Sequence, residues 1–208
     1  MKGYLLSYYF TNQKSIYTYL LLSIPICLFF SFTNPLMASF MPMIFLVSPA
    51  TDNLKNEKDS KWMYFVSTLP YSRNTYVSSH FAFYSLLALT GMVVSLVINA
   101  IVAGSIVSGV NSALLGTGFI ALYSLIFPFT FKMGAEKSNV IFMIVSIIVV
   151  ILFFVYYFVG MAILSNTDNF MGEMTKNLWY GGIFALIGLI VMALSFIASK
   201  QAFKYKEL

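Results

Sequence analysis

Of 208 residues, 60% are hydrophobic and only 9% charged, far from the roughly one-quarter charged residues of a soluble domain. A helical crossing of a bilayer takes about 20 mostly apolar residues, so this length leaves room for several crossings and none for a soluble domain of ordinary size. The net charge of +5 suits basic loops against anionic lipid on the cytoplasmic face rather than a nucleic-acid surface.

Gly3, Ser7, Thr11 and Lys14 recur at helical spacing, with Leu5, Tyr8, Tyr9 and Phe10 on the broader remaining face. The pattern predicts a helix over 1–15 lying in the headgroup plane before the chain turns into the bilayer, a frayed tyrosine-rich tail being the alternative. Its apolar stretch is short, broken by Ser7 and without a small-residue cleavage site, so it does not read as a cleaved signal. A first span is expected at about 16–32 and, after the turn at Asn34 and Pro35, a second that returns to about residue 50. Pro25, Pro42 and Pro49 mark kinks within them. The only cysteine, Cys27, lies in an apolar run and reads as packing, which excludes a disulfide framework within the chain.

Residues 51–75 carry most of the mid-chain charge and are expected outside the membrane core. A third span at about 76–103 is followed by a turn over 104–111 and a fourth span at about 112–131 containing Pro128. A charged loop over 132–139, a fifth span at about 140–164, a polar loop over 165–177 and a sixth span at about 178–199 complete the chain. Trp179 and Tyr180 begin that last span as interfacial aromatics do. The expected fold class is all-α: one polytopic transmembrane domain over 1–208, with six spans, an N-terminal interfacial helix and a cytoplasmic helix between spans two and three. With the N-terminus inside, all of the 12 lysines and arginines except Lys176 fall on the cytoplasmic side. The positive-inside rule then puts both termini and the 51–75 segment in the cytoplasm.

Within that segment Trp62, Phe65, Val66 and Leu69 fall at i, i+3, i+4 and i+7, the spacing of one helix face, while Lys61, Tyr64 and Thr68 lie elsewhere on the wheel. Asp59 or Ser60 can cap the first turn, and Pro70 forces Leu69 out of the α region and ends the helix. Ser72 can cap the next helix, which places Arg73 at the membrane surface, where its guanidinium can grip a lipid phosphate or a partner carboxylate. The arrangement fits a peg that couples the spans to a partner. It equally fits a helix resting on lipid with an anchoring arginine.

The span interiors hold almost no ionisable group. A charge at mid-bilayer costs about 2.5–3.5 kcal/mol, so an ion-coupled engine is not expected, although a carrier using broken helices and backbone carbonyls is compatible with this. The one histidine, His80, cannot supply an HExxH pair, and no carboxylate at depth can partner it. It is expected at the interface, bonded to water or backbone. Asp168 and Glu173 read as solvated loop residues near Lys176. No catalytic residue, metal site or cofactor site is expected in this chain. The sequence has no GxxxxGK[ST], so energy for uphill transport would come from another polypeptide.

Glu57, Trp62, Tyr64 and the run Leu69-Pro70-Tyr71-Ser72-Arg73-Asn74-Thr75-Tyr76-Val77 resemble the signature of the type-2 ABC transporter permeases, of the form E-x4-W-x-x-Y-x3-LPxSRxxxV-x-x-KY between the second and third spans. Trp62 stands at the expected distance from Glu57, and Leu69, Pro70, Ser72, Arg73 and Val77 match in place. His80 and Phe81 stand where Lys-Tyr is usual, so position 80 lacks the permanent charge. The resemblance implies a subunit of a bacterial plasma-membrane transporter that pairs with a second permease, as a homodimer or heterodimer. It also implies two separate ATP-binding subunits, which would hold the ATP and Mg. It makes the helix before the proline a coupling helix seated in a groove of the ATPase, and assigns coupling to Glu57, Trp62, Tyr64, Phe65, Val66, Leu69, Pro70, Arg73 and Tyr76. Within the family the chain is similar to the staphylococcal exporter permeases for phenol-soluble modulin peptides, which implies an amphipathic peptide or lipid-like cargo. A stand-alone carrier, or a peptide-binding immunity protein without an ATPase, is the alternative reading.

Overall fold

Inside hydrocarbon no water is available to the backbone, so each crossing segment must close its hydrogen bonds within itself, as a helix does. The computed structural model describes residues 2–59, 73–134, 137–164 and 174–204, and no strand occurs among them. In chain order the helices are α1 (Lys2–Thr33), α2 (Phe40–Asp59), α3 (Arg73–Ala103), α4 (Ile106–Tyr123), α5 (Ile126–Met133), α6 (Ser138–Leu164) and α7 (Leu178–Lys204). Among the described residues five stretches are long and apolar enough to cross a membrane: α1, α3, α4 and α5 taken together, α6, and α7. The all-α polytopic architecture read from the composition is the one observed.

Several boundaries differ from those read in the sequence, each for a local reason. Residues 2–15 are not a separate interfacial helix. They form the first half of one unbroken helix with the first span, because no glycine or proline stands between Gly3 and Pro25 to interrupt it. The turn read at Asn34 and Pro35 covers 35–39, and α2, read as ending near 50, runs from Phe40 past Pro49 and the charged residues to Asp59. Its polar second half keeps it out of the five membrane-length stretches. Pro42 fits in the first turn of α2, where a missing N–H has no intrahelical acceptor to serve. Asp59 is the last residue of that helix, and the turn that Asp59 or Ser60 is expected to cap lies outside the described residues.

The link read over 104–111 is two residues long. Gly104 takes φ +60, a left-handed conformation open to glycine without penalty, and Ser105 caps α4 in an extended conformation with its side chain accepting from the Ser108 N–H. The fourth span is broken at 124–125, one turn before Pro128. Pro128 offers no N–H to the Ser124 carbonyl, which accepts from the Phe127 N–H at 3.1 Å instead.

The centre of the bundle is α4 with α5, of which 72% of the most apolar stretch is buried against 22–28% for the other four spans. Lipid gives helices no hydrophobic reason to associate, so close packing rests on small residues and hydrogen bonds. Gly116 faces Ser39 and Met43 on the α2 side, while Gly118 meets Gly188 of α7 so closely that a Cβ on Gly188 would stand 2.7 Å from the Gly118 Cα. On one flank α1 packs against α2 and α3, and on the other α6 packs against α4 and α5. Their outward faces are exposed aliphatic and aromatic residues, such as Leu21 and Phe29 on α1 and Ile147, Ile151 and Val155 on α6. Two buried asparagines pin one end of the bundle: Asn99 Nδ2 donates to the Pro35 carbonyl at 3.1 Å, and Asn111 Nδ2 to the Met174 carbonyl at 2.7 Å.

Candidate functional site

At the opposite end, α2 stops at Asp59 and α3 starts at Arg73, beside the start of α1 and the end of α7. Arg73, Tyr76 and His80 are spaced i, i+3 and i+7 and therefore share one face of α3. Tyr76 is fully buried. Its ring stacks on Phe203 of α7 at 5.1 Å between centroids and meets Tyr4 of α1 edge-on at 6.2 Å and Phe131 of α5 at 6.1 Å. One turn on, His80 stacks with Tyr8 of α1 at 4.7 Å and lies 5.9 Å from Phe131.

Hydrogen bonds join the same elements. The Tyr8 hydroxyl lies 3.2 Å from His80 Nε2 and 3.4 Å from Ser79 Oγ, and Ser79 Oγ donates to the Tyr76 carbonyl at 2.7 Å. Along α1, Asn12 Nδ2 donates to Asn53 Oδ1 of α2 and to the Tyr8 carbonyl, both at 2.9 Å. Arg73 Nη1 donates to the Lys204 carbonyl at 3.2 Å and to the Phe203 carbonyl at 3.4 Å. The last carbonyls of a helix have no intrahelical donor, and a cation there also meets the negative end of the helix dipole. Arg73 therefore caps α7.

This arrangement is a joint. Four elements, α1, α3, α5 and α7, meet in a buried aromatic cluster, and the asparagine pair ties α2 to it. Aromatic pairs of this kind add about 0.5–1.5 kcal/mol each beyond the area they bury, so a displacement of the start of α3 is resisted by α7 and α1 together. Among the described residues no group of three His, Cys, Asp or Glu side chains could hold a metal ion.

Of the coupling residues read from the sequence, Arg73 and Tyr76 are in this joint, with Arg73 turned to the end of α7 as well as to the surface. Glu57 lies in the last turn of α2. Trp62, Tyr64, Phe65, Val66, Leu69 and Pro70 lie outside the described residues. His80, expected at the interface, is only 1% exposed: it is buried among rings, with the Tyr8 hydroxyl beside its Nε2. Sequence reasoning missed Tyr8, Asn12, Asn53, Phe131 and Phe203. The available signal was Tyr4, Tyr8, Asn12 and Ile16 at steps of four, a face of α1 that carries both rings and an amide.

No curated protein and no solved structure matches the chain. The sequence model of one family, described as ABC-2 family transporter protein, matches residues 5–204, nearly the whole length. The chain therefore belongs to the ABC-2 transporter family, and it is a permease subunit of an ABC transporter.

Proposed function

We propose that this permease is half of an exporter driven by a separate ATPase, and that the chain between α2 and α3 is where the two meet. The joint at Arg73, Tyr76 and His80 is the observation that carries this reading. A push on the chain just before Arg73 reaches α3 directly, α7 through the Arg73 cap and the Tyr76–Phe203 stack, and α1 through Tyr8. From α7 it passes to the central α4 at the Gly118–Gly188 crossing. Closure of an ATP-bound pair of partner subunits, which hold the ATP and Mg, would so shift the balance between inward- and outward-facing arrangements of the spans.

The amphipathic pattern of Trp62, Phe65, Val66 and Leu69, stopped by Pro70, supplies the contact face, with Glu57 and Tyr64 beside it. The end of the bundle that carries this segment faces the cytoplasm of a bacterium, as the lysine and arginine distribution requires. A second permease, a copy or a paralogue, completes the pathway. The cargo is an amphipathic or hydrophobic peptide, or a lipid-like molecule, because the described span interiors are apolar and nearly uncharged.

The test is export of an amphipathic helical peptide from cells carrying the permease with its ATPase. Trp62→Ala, Leu69→Asp and Arg73→Glu should each reduce export while leaving the amount of protein in the membrane unchanged. Export at the wild-type rate in all three variants would contradict the proposal.

A further inference from the structure

Midway along the bundle, α2, α3, α4 and α7 leave a cavity of 190 Å³ between them. Its wall includes buried Met43, and its mouth lies between Leu89 of α3 and Leu189 of α7, which are 52% and 48% exposed. Those leucines continue rows of exposed aliphatic side chains, Leu86 and Val93 on α3 and Leu186 and Ile190 on α7. The mouth is thus continuous with the surface that meets hydrocarbon. It opens sideways into the bilayer, not toward either aqueous end.

The chemistry of the lining selects the occupant. Each lining hydroxyl donates to a backbone carbonyl: Tyr84 to Ile120, Ser85 to Phe81 at 2.8 Å, and Thr117 to Ala113 at 2.8 Å. A resident water would need two to four polar partners, and apolar voids of about 150 Å³ are known to stay dry and take a hydrocarbon guest. Met43, Met92 and Met192, from three different helices, line the space with flexible thioether chains that adapt to the shape of a guest.

We propose that this cavity is a binding site for one acyl chain of a membrane lipid, entered between α3 and α7. A chain moving there from the bilayer loses no hydration and gains fixed atoms on several sides in place of fluid neighbours. The seated chain wedges α3 and α7 at mid-height, while Arg73 and Tyr76 clamp them at one end. This inference does not depend on the ATPase reading.

The test uses the full-length protein in vesicles of phosphatidylglycerol and phosphatidylcholine, part of which carries a diazirine in mid-chain. After irradiation, labelled residues are mapped by mass spectrometry. Met43 is 1% exposed, so lipid on the outer surface cannot reach it, whereas Met143 of α6, 65% exposed, reports that outer lipid. Leu115 is as buried as Met43 but does not line the cavity. The proposal expects Met43 to be labelled well above Leu115, and Ala88→Phe, which fills the space, to bring Met43 down to the Leu115 level without changing Met143. Should Ala88→Phe fail to insert, Ala121→Leu makes the same comparison, and the contrast between Met43 and Leu115 stands in the wild type. Labelling of Met43 no greater than Leu115, or unchanged by the filling variants, would overturn the site. Labelling of Met43 by a diazirine-bearing amphipathic peptide that displaces the lipid label would overturn the assignment to lipid and make the cavity a cargo site.

Discussion

The Tyr8 hydroxyl stands between Ser79 Oγ and His80 Nε2, and replacing it separates polar from aromatic contributions to the joint. Tyr8→Phe keeps the stacked ring and loses the hydroxyl, so a loss of about 0.5–1.5 kcal/mol is expected. Tyr76→Ala opens a hole beneath Phe203 and Phe131 and should cost about 3–5 kcal/mol, as truncation of large buried rings does. Thermal midpoints in detergent check the order: Tyr76→Ala well below Tyr8→Phe. Arg73→Lys keeps the charge at the end of α7 without the planar fork, whereas Arg73→Glu sets a negative charge against carbonyls and forfeits a cap of about 0.3–1 kcal/mol. The midpoint should therefore fall from wild type through Lys to Glu, and a Glu variant as stable as wild type would show that the cap contributes nothing. At this scale the sequence showed that residue 80 departs from the family pattern but not what surrounds it. His80 meets Tyr8 across 72 positions of chain, and no local pattern around His80 announces that partner.

Among the helices, the crossing of α4 and α7 is the contact most sensitive to side-chain size. Gly188→Leu must force the two backbones apart and should cost about 1–3 kcal/mol or more, as overpacking does, with a matching fall in folded protein. Gly182 sits on the same helix with open space where a Cβ would stand, nothing beyond its chain neighbours and its own helix backbone lying within 4 Å of that point, so Gly182→Ala should gain about 0.5–1 kcal/mol from helix propensity. Opposite signs at two glycines six residues apart, read by thermal midpoint, would support the crossing; equal effects would not. Spans α3, α6 and α7 were legible because their apolar runs are long. The ends of α1 and α2 were not, since hydropathy marks where hydrocarbon ends and says nothing of where a helix ends. Residues 50–59, ATDNLKNEKD, contain no glycine and no further proline, so α2 continues as a helix after it has ceased to be apolar.

For the whole molecule, the account requires the end holding Arg73 and Lys204 to face the cytoplasm and the end holding Lys176 to face outward. Cys27 is fully buried, so the protein gives a quiet background for cysteine labelling. Exposed Lys176→Cys should react with an impermeant maleimide on intact cells, and exposed Lys132→Cys only after permeabilisation; the reverse pattern would contradict the orientation. Membership in the ABC-2 family was legible in the residues around Pro70, because that short motif is dense in specific residue types. The joint behind it was not, because it is assembled from Tyr8, His80, Phe131 and Phe203, which lie on four helices. The most direct test of the central claim is a pull-down of the permease from detergent-solubilised membranes, comparing wild type with a variant in which Trp62, Phe65 and Leu69 are charged. A P-loop ATPase should co-purify with the wild type and be lost from the variant. If no ATPase accompanies the wild type, or the variant retains it in full, the segment before Arg73 does not couple this permease to a motor.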